Sequence, residues 1–290
     1  MIASSHLIIL NVISNFRLQI LHFRFVTLLI LFMSSILFEI KNNIAFITLN
    51  RPEKFNAFNR EMALSLQKAL DECENNIGTR CVFITGAGKA FCAGQDLAEI
   101  VDPEGTGMEK ILSEHYNPII NKIRNLSKPV VAAVNGVAAG AGANIALCCD
   151  VAVAARSASF IQAFSKIGLI PDSSGTFFLP RLIGMQKASA FMMLGDKISA
   201  EEAEITGMIY KYFNDDVFKE ESMKIAGRLA SMPTRGLAFT KQALNNSLSN
   251  SLEQQLKTED ELQQRAAATY DFKEGVQAFL EKRQPIFKGE

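Results

Sequence analysis

From Ile36 the chain sets two apolar runs, ILFEIK and IAFITL, on either side of Asn42-Asn43, the pattern of two strands joined by a hairpin turn. The polar stretch NRPEKFNAFN breaks that pattern as a loop. Met62, Leu66, Ala69 and Leu70 then recur at the spacing of one helix face. CVFITG reads as a buried strand ending in glycine, AGKAFCAGQDL as a glycine-rich loop, and a helix is expected over Met108 to Asn125. The strand PVVAAVNG follows, then VAAGAGANIALCC, whose small residues fit the start of a tightly packed helix, then the strand DVAVAA. Strand, loop and helix recur at irregular spacing, which favours stacked ββα units over a doubly wound sheet. Ser199 and Glu202 have the spacing of a capping box. Beyond about Ser231 there is no good strand. Leu252, Leu256, Leu262, Ala266, Val276 and Phe279 point to long helices whose apolar faces need a partner, such as another subunit.

Residues 1–32 do not fit this pattern. No acid precedes Glu39, and Arg17, His22 and Arg24 interrupt the apolar runs. The uncharged run from Phe25 to Met33 is too short to span a bilayer, which takes about 20 apolar residues. A signal peptide would carry its basic region first. The expectation is that translation begins at Met33 and that 1–32 are a non-native or disordered extension; the rival is a membrane-surface or targeting segment. Stable membrane insertion is not expected.

Composition narrows the function classes. The 290 residues are 48% hydrophobic, enough for a sizeable core, and carry 30 basic and 30 acidic side chains. With no net charge, no broad field favours nucleic acid, and an anionic ligand must be held locally. The five cysteines, Cys73, Cys81, Cys92, Cys148 and Cys149, lack CxxC spacing and read as small buried hydrophobes of a reducing, cytoplasmic setting. His115 is the one imidazole outside the N-terminal extension, so a His-rich metal centre is implausible and no metal is expected. The plain reading of His115 is a polar residue on an amphipathic helix.

Two glycine loops invite a nucleotide reading and fail it. The Gly86–Lys89 segment has Phe83 where a P-loop needs glycine and Ala90 where it needs serine or threonine. Gly140 and Gly142 lack the third glycine of a dinucleotide fingerprint. Each loop is nevertheless a strand end running into small residues, where backbone N–H groups can approach a ligand. Two such groups on one oxygen would form an oxyanion hole, each donor worth about 10²–10³ in rate. In GLIPDSSGTFFLP, Asp172 stands between an apolar run and a small-residue turn. Those residues alone allow two readings, a helix N-cap or a catalytic acid.

AFCAGQDL (90–97), PVVAAVNGVAAGAGANIALCCDVAVAA (129–155) and GLIPDSSGTFFLPRLIG (168–184) together resemble the enoyl-CoA hydratase/isomerase, or crotonase, superfamily. The resemblance runs from ITLNRPEKFNAFN to FLEKRQPIFKG. It implies an α/β fold: a crotonase-like ββα superhelix over 33–230, with a C-terminal α-helical trimerisation domain over 231–290. It also implies an acyl-CoA thioester substrate, no covalently bound cofactor, and assembly as a homotrimer or a hexamer of paired trimers.

By position, the resemblance assigns the thioester oxygen to the backbone N–H groups of Gln95 and Ala141, with Gly140 beside the latter. It places Ala93, Gly94, Asp96 and Leu97 along the CoA moiety, with Lys54 and Ala57 lining the same groove. It puts Pro171 at the substrate, and Phe279 and Lys282 near CoA, from the same or a neighbouring subunit. The two water-activating glutamates of the hydratases fall at Asn144 and Phe164, which cannot serve as bases. Hydration is therefore disfavoured, and Asp172 remains. GLIPDSSGTFFLPRLIG most resembles the branch that isomerises ring-1,2-epoxyphenylacetyl-CoA to its oxepin isomer in phenylacetate breakdown. There a single aspartate moves the proton, and the same machinery shifts enoyl-CoA double bonds in fatty acid metabolism. Leu169, Ile170, Phe177 and Phe178 are expected to raise the Asp172 pKa by desolvation. The alternatives are a hydratase-like enzyme, an aryl-CoA dehalogenase or hydrolase with Asp172 as nucleophile, and a non-catalytic acyl-CoA-binding scaffold.

Overall fold

A computed structural model describes residues 34–102, 105 and 107–290. The expectations for 1–32 and for a start at Met33 lie outside these residues. Strands β1 (Ile36–Lys41) and β2 (Ile44–Leu49) pair antiparallel, and the turn between them puts both Asn42 and Asn43 at positive φ, as a two-residue hairpin requires. Helix α1 (Arg60–Asn75) starts where Asn59 Oδ1 accepts from Met62 N at 3.0 Å. It buries Met62, Leu66, Ala69 and Leu70, as their spacing predicts.

The chain then shuttles between two sheets. Strands β3 (Cys81–Gly86), β5 (Val130–Val134) and β7 (Val151–Ala155) join the first; β4 (Ala90–Cys92), β6 (Val137–Ala139) and β8 (Ser159–Ile161) join the second. Each β-β pair is followed by helix: α2 (Leu97–Ile100), α3 (Gly107–Lys110) and α4 (Asn117–Asn125) after β4, α5 (Ala141–Cys148) after β6, α6 (Gly175–Ile183) and α7 (Met185–Leu194) after β8. This is the expected ββα spiral. Adding β9 (Lys197–Ser199) and β10 (Lys211–Phe213) gives a six-stranded sheet in the order β1-β2-β3-β5-β7-β10 and a four-stranded one in the order β4-β6-β8-β9. Every pairing is parallel except β1–β2 and β8–β9. Helices pack against the large sheet, and its central strand β5 (VVAAV) is buried along its whole length.

Between β9 and β10 lies α8 (Ala200–Ile205), where only half of the expected capping box forms: Ser199 Oγ accepts from Glu202 N at 3.1 Å. After β10 the described residues hold helices only: α9 (Asp215–Ser231), α10 (Thr234–Ser247), α11 (Leu252–Ala267) and α12 (Tyr270–Leu280). Leu252, Leu256 and Phe279 remain largely exposed on them. All five cysteines are free and buried, and burial pushes the Cys92 thiol up to about 12, so it stays protonated and inert. No helix among the described residues is long and apolar enough to cross a membrane.

The predicted helix over 108–125 is present with a departure. Ile111–Tyr116 is wound as a π-helix, and Asn117 N donates to Leu112 O. Pro118 explains it: proline has no N–H for the Glu114 carbonyl four residues back. Gln67 Nε2 donates to that carbonyl instead, at 2.7 Å. His115, read as a polar residue on an amphipathic helix, lies on this helical segment with its side chain inward. It is fully buried with Nε2 3.2 Å from Arg60 Nη1, and burial pushes its imidazole below its ordinary value.

Candidate active site

The ends of β4 and β6 meet across a cavity of about 350 Å³, within the usual range of roughly 300–1,000 Å³ for ligand sites. Its walls are Ala93, Gly94, Gln95, Leu97, Ile100, Met108, Ile111, Tyr116, Gly140, Ala141, Ala163, Phe164, Lys166, Ile167, Leu169 and Asp172. Both glycine loops and Asp172 are thus in one place. They come from three successive turns of the spiral: the loops that follow β4 and β6, and the longer segment between β8 and α6.

The loop after β4 is laid against the segment after β2. Phe58 N donates to Gly94 O at 2.7 Å and Asp96 N donates to Phe58 O at 2.8 Å. In a trans peptide the N–H points opposite to the C=O, so the Gln95 N–H faces away from Phe58. The partner loop is as close as backbone allows: a methyl group on Gly94 would stand 2.9 Å from Ala139 O and 3.6 Å from Ala141 N. Gly140 sits at φ 53 and ψ −126, a conformation that side chains other than hydrogen rarely permit, and this turn opens α5. Ala141 N is then the first N–H of a buried helix, with no earlier turn to accept it and the positive end of the helix dipole behind it.

Asp172 is not a helix cap. The cap position of α6 belongs to Ser174, two residues on, and both Ser173 and Ser174 adopt positive φ. This turn spends the Asp172 backbone carbonyl on Asn144 Nδ2 and Gly175 N, each at 2.8 Å, and leaves its carboxyl in the cavity wall. Burial raises the Asp172 pKa above its ordinary value, opposed by the Ser173 hydroxyl, which donates to Oδ1 at 2.8 Å. The apolar surroundings differ from those expected. Leu169 lines the cavity, but Ile170 is 80% exposed, Phe177 faces outward beneath Arg181, and Phe178 packs under Arg124. Phe164, Ile111 and Tyr116 supply apolar wall instead.

Asn144 does not face the cavity. Both ends of its amide are engaged: Nδ2 donates to the Asp172 carbonyl, and Oδ1 accepts from Gln162 Nε2, each at 2.8 Å. Phe164 does line the cavity, so one of the two positions at which resemblance puts a hydratase glutamate is apolar wall. Asp172 is the one carboxylic acid among the described residues lining it.

The remaining expected residues are dispersed. Lys54 is exposed and Ala57 buried on the segment that flanks the Ala93–Leu97 loop, outside the cavity. Asp96 caps α2 through Ala98 N and pairs with Arg51 at 2.9 Å, which holds its carboxyl below the ordinary value. Pro171 adjoins Asp172 without lining the cavity. Phe279 is exposed beside a separate C-terminal groove, with Lys282 just beyond α12, and neither is brought to the cavity within one chain. Tyr116 and Lys166 line the cavity and were not legible as site residues; the one signal for the former is Pro118, which disturbs the helix that carries it. No cluster of three or more His, Cys, Asp or Glu among the described residues could hold a metal.

The family profile described as enoyl-CoA hydratase/isomerase matches residues 39–290. The 1,2-epoxyphenylacetyl-CoA isomerase of Escherichia coli is 45% identical over 260 residues, covering 89% of this chain and 99% of that protein. The trans-2-decenoyl-(acyl-carrier-protein) isomerase of Streptococcus mutans is 35% identical over 88% of this chain and 98% of its own. Among solved structures, an enoyl-CoA hydratase from Bacillus anthracis superposes with a TM-score of 0.82 at 34% identity, covering 88% of this chain and all of that one. The spiral with its C-terminal helices is therefore the crotonase fold. With match and geometry in agreement, the chain belongs to the enoyl-CoA hydratase/isomerase family.

Proposed function

We propose that this protein is an acyl-CoA isomerase in which Asp172 moves one proton within the substrate. The observation that carries the reading is that Asp172 is the single acid among the described residues lining a cavity whose walls also hold Gln95 and Ala141. Asp172 takes a proton from the carbon α to the thioester. Charge passes to the thioester oxygen, where the Gln95 and Ala141 N–H groups stabilise it. The protonated acid then returns the proton to a carbon further along the conjugated system. For a 3-enoyl-CoA this moves the double bond into conjugation. For ring-1,2-epoxyphenylacetyl-CoA, opening of the ring carbon–carbon bond accompanies it and yields the oxepin isomer. The similarity to the Escherichia coli isomerase supports the aromatic epoxide as the main substrate.

Hydration needs a second group to position water, and Asn144, outside the cavity wall and bonded to the Asp172 carbonyl and Gln162, does not supply one. The CoA moiety lies along Ala93–Leu97 and the Lys54 segment. Residues 231–290 form the oligomerisation region, and their exposed apolar side chains support a trimer or a pair of trimers. Incubation with ring-epoxidised phenylacetyl-CoA and with a cis-3-enoyl-CoA, followed by mass and ultraviolet absorbance, tests the reading. The expected result is a product of unchanged mass with new conjugation. A product heavier by one water refutes it.

A further inference from the structure

The Gln95 carboxamide is gripped at both ends. Nε2 donates to Glu99 Oε2 at 2.6 Å, and Oε1 accepts from the Tyr116 hydroxyl at 2.8 Å. The other Glu99 oxygen accepts from Arg60 N, the first N–H of α1, at 2.8 Å. A carboxylate only accepts, so Glu99 dictates which end of the amide turns toward it. Oε1 is left facing Tyr116, and the phenol must be the donor. The proton order of the whole chain follows: α1 and Gln95 donate into Glu99, and Tyr116 donates into Gln95.

Tyr116 has little freedom to do otherwise. It is 1% exposed, its ring stands edge-on to Phe58 at 5.8 Å, and it ends the π-helical turn that Pro118 enforces. It forms part of the cavity wall, yet its single hydroxyl proton is committed to Gln95. A direct role as proton donor to substrate therefore does not fit. The peptide that carries the Gln95 N–H follows Gly94 at φ +93, a position with no side chain to restrain it. One edge of that peptide is tied down by Phe58 N through Gly94 O. The carboxamide clamp restrains Gln95 from the other side.

We propose that Tyr116 is a positioning residue: with Glu99, it locks the Gln95 side chain and so aims the Gln95 backbone N–H at the thioester oxygen. This rests on the reading of that N–H as an oxyanion donor. The probe is the CoA thioester of para-dimethylaminocinnamic acid, whose donor–acceptor chromophore shifts to longer wavelength when its thioester oxygen is polarised, and which needs no turnover. Wild-type protein is expected to red-shift it on binding. Tyr116→Phe keeps the ring and loses the clamp. It is expected to lose part of that shift and roughly tenfold in kcat, since the donor is tilted and not removed, with KM changed less than twofold. Gln95→Met retains the backbone N–H, serves as a second variant should the first fold poorly, and is expected to show the same loss. The double variant should lose nothing further. An unshifted probe on wild-type protein, a full shift in both single variants, or losses that add in the double would each overturn the proposal. A wild-type protein that shifts the probe but isomerises neither thioester refutes the isomerase reading and leaves the clamp standing, while Asp172→Asn should keep the full shift.

Discussion

Replacing Asp172 by asparagine removes one proton-carrying group and little else. The Ser173 hydroxyl can still donate to an amide oxygen at the Oδ1 position, and Asn144 holds the backbone carbonyl, which the substitution leaves untouched. A positioned acid–base group contributes typically 10²–10⁴ in rate. At about 1.4 kcal/mol per tenfold, that is roughly 3–6 kcal/mol of barrier. The assay is exchange of substrate α-protons with D₂O together with single-turnover isomerisation, run beside a binding measurement. Turnover is expected to fall by that factor with acyl-CoA affinity nearly unchanged. In wild type, the base form is the active one, so kcat should rise with pH through an inflection displaced upward from the ordinary carboxylate value of 3.8. The stability sign is opposite. An acid whose folded pKa is raised contributes fully below its unfolded pKa, and that contribution is lost as pH rises through the folded pKa. Asp172→Asn should therefore be no less stable than wild type at neutral pH, with any advantage shrinking toward acid. Retention of more than about a tenth of wild-type turnover, or loss of binding in parallel, would refute the assignment.

Three further outcomes are expected. Gly140→Ala forces a side chain into φ 53, ψ −126, at a cost of about 1–3 kcal/mol, and should lower kcat more than affinity because the Ala141 N–H is displaced. Lys241→Met removes a buried ammonium 2.8 Å from Asp150 Oδ2 that also donates to Ile123 O at 2.6 Å. Asp150 keeps its bonds from Val130 N and Arg124, so losing the buried ammonium should cost roughly 1–3 kcal/mol in urea unfolding while leaving the cavity chemistry intact. Single turnover in H₂¹⁸O should leave Asp172 unlabelled; ¹⁸O in its carboxyl would instead establish a covalent ester intermediate.

Local chemistry written in the chain was enough for much of this protein. The Asn42-Asn43 turn, the buried face of α1 and the fully apolar β5 follow from backbone preference and hydrophobic spacing, which act over a few residues. Motif resemblance carried the spiral and singled out Gln95, Ala141 and Asp172. Three-residue strands such as β8, β9 and β10 were not legible, because such short segments are held by neighbours far along the chain and not by their own pattern. Only tertiary structure removed the helix-cap reading of Asp172: successive positive-φ serines move the cap to Ser174, and Asp172 lines the cavity. It also reassigned Asn144 from a vacant catalytic position to the support of the Asp172 carbonyl, and brought Tyr116 against Gln95 across 21 residues of sequence. Hydrophobic periodicity reports which face of an element is buried. Which polar atoms meet inside is decided when those faces pack.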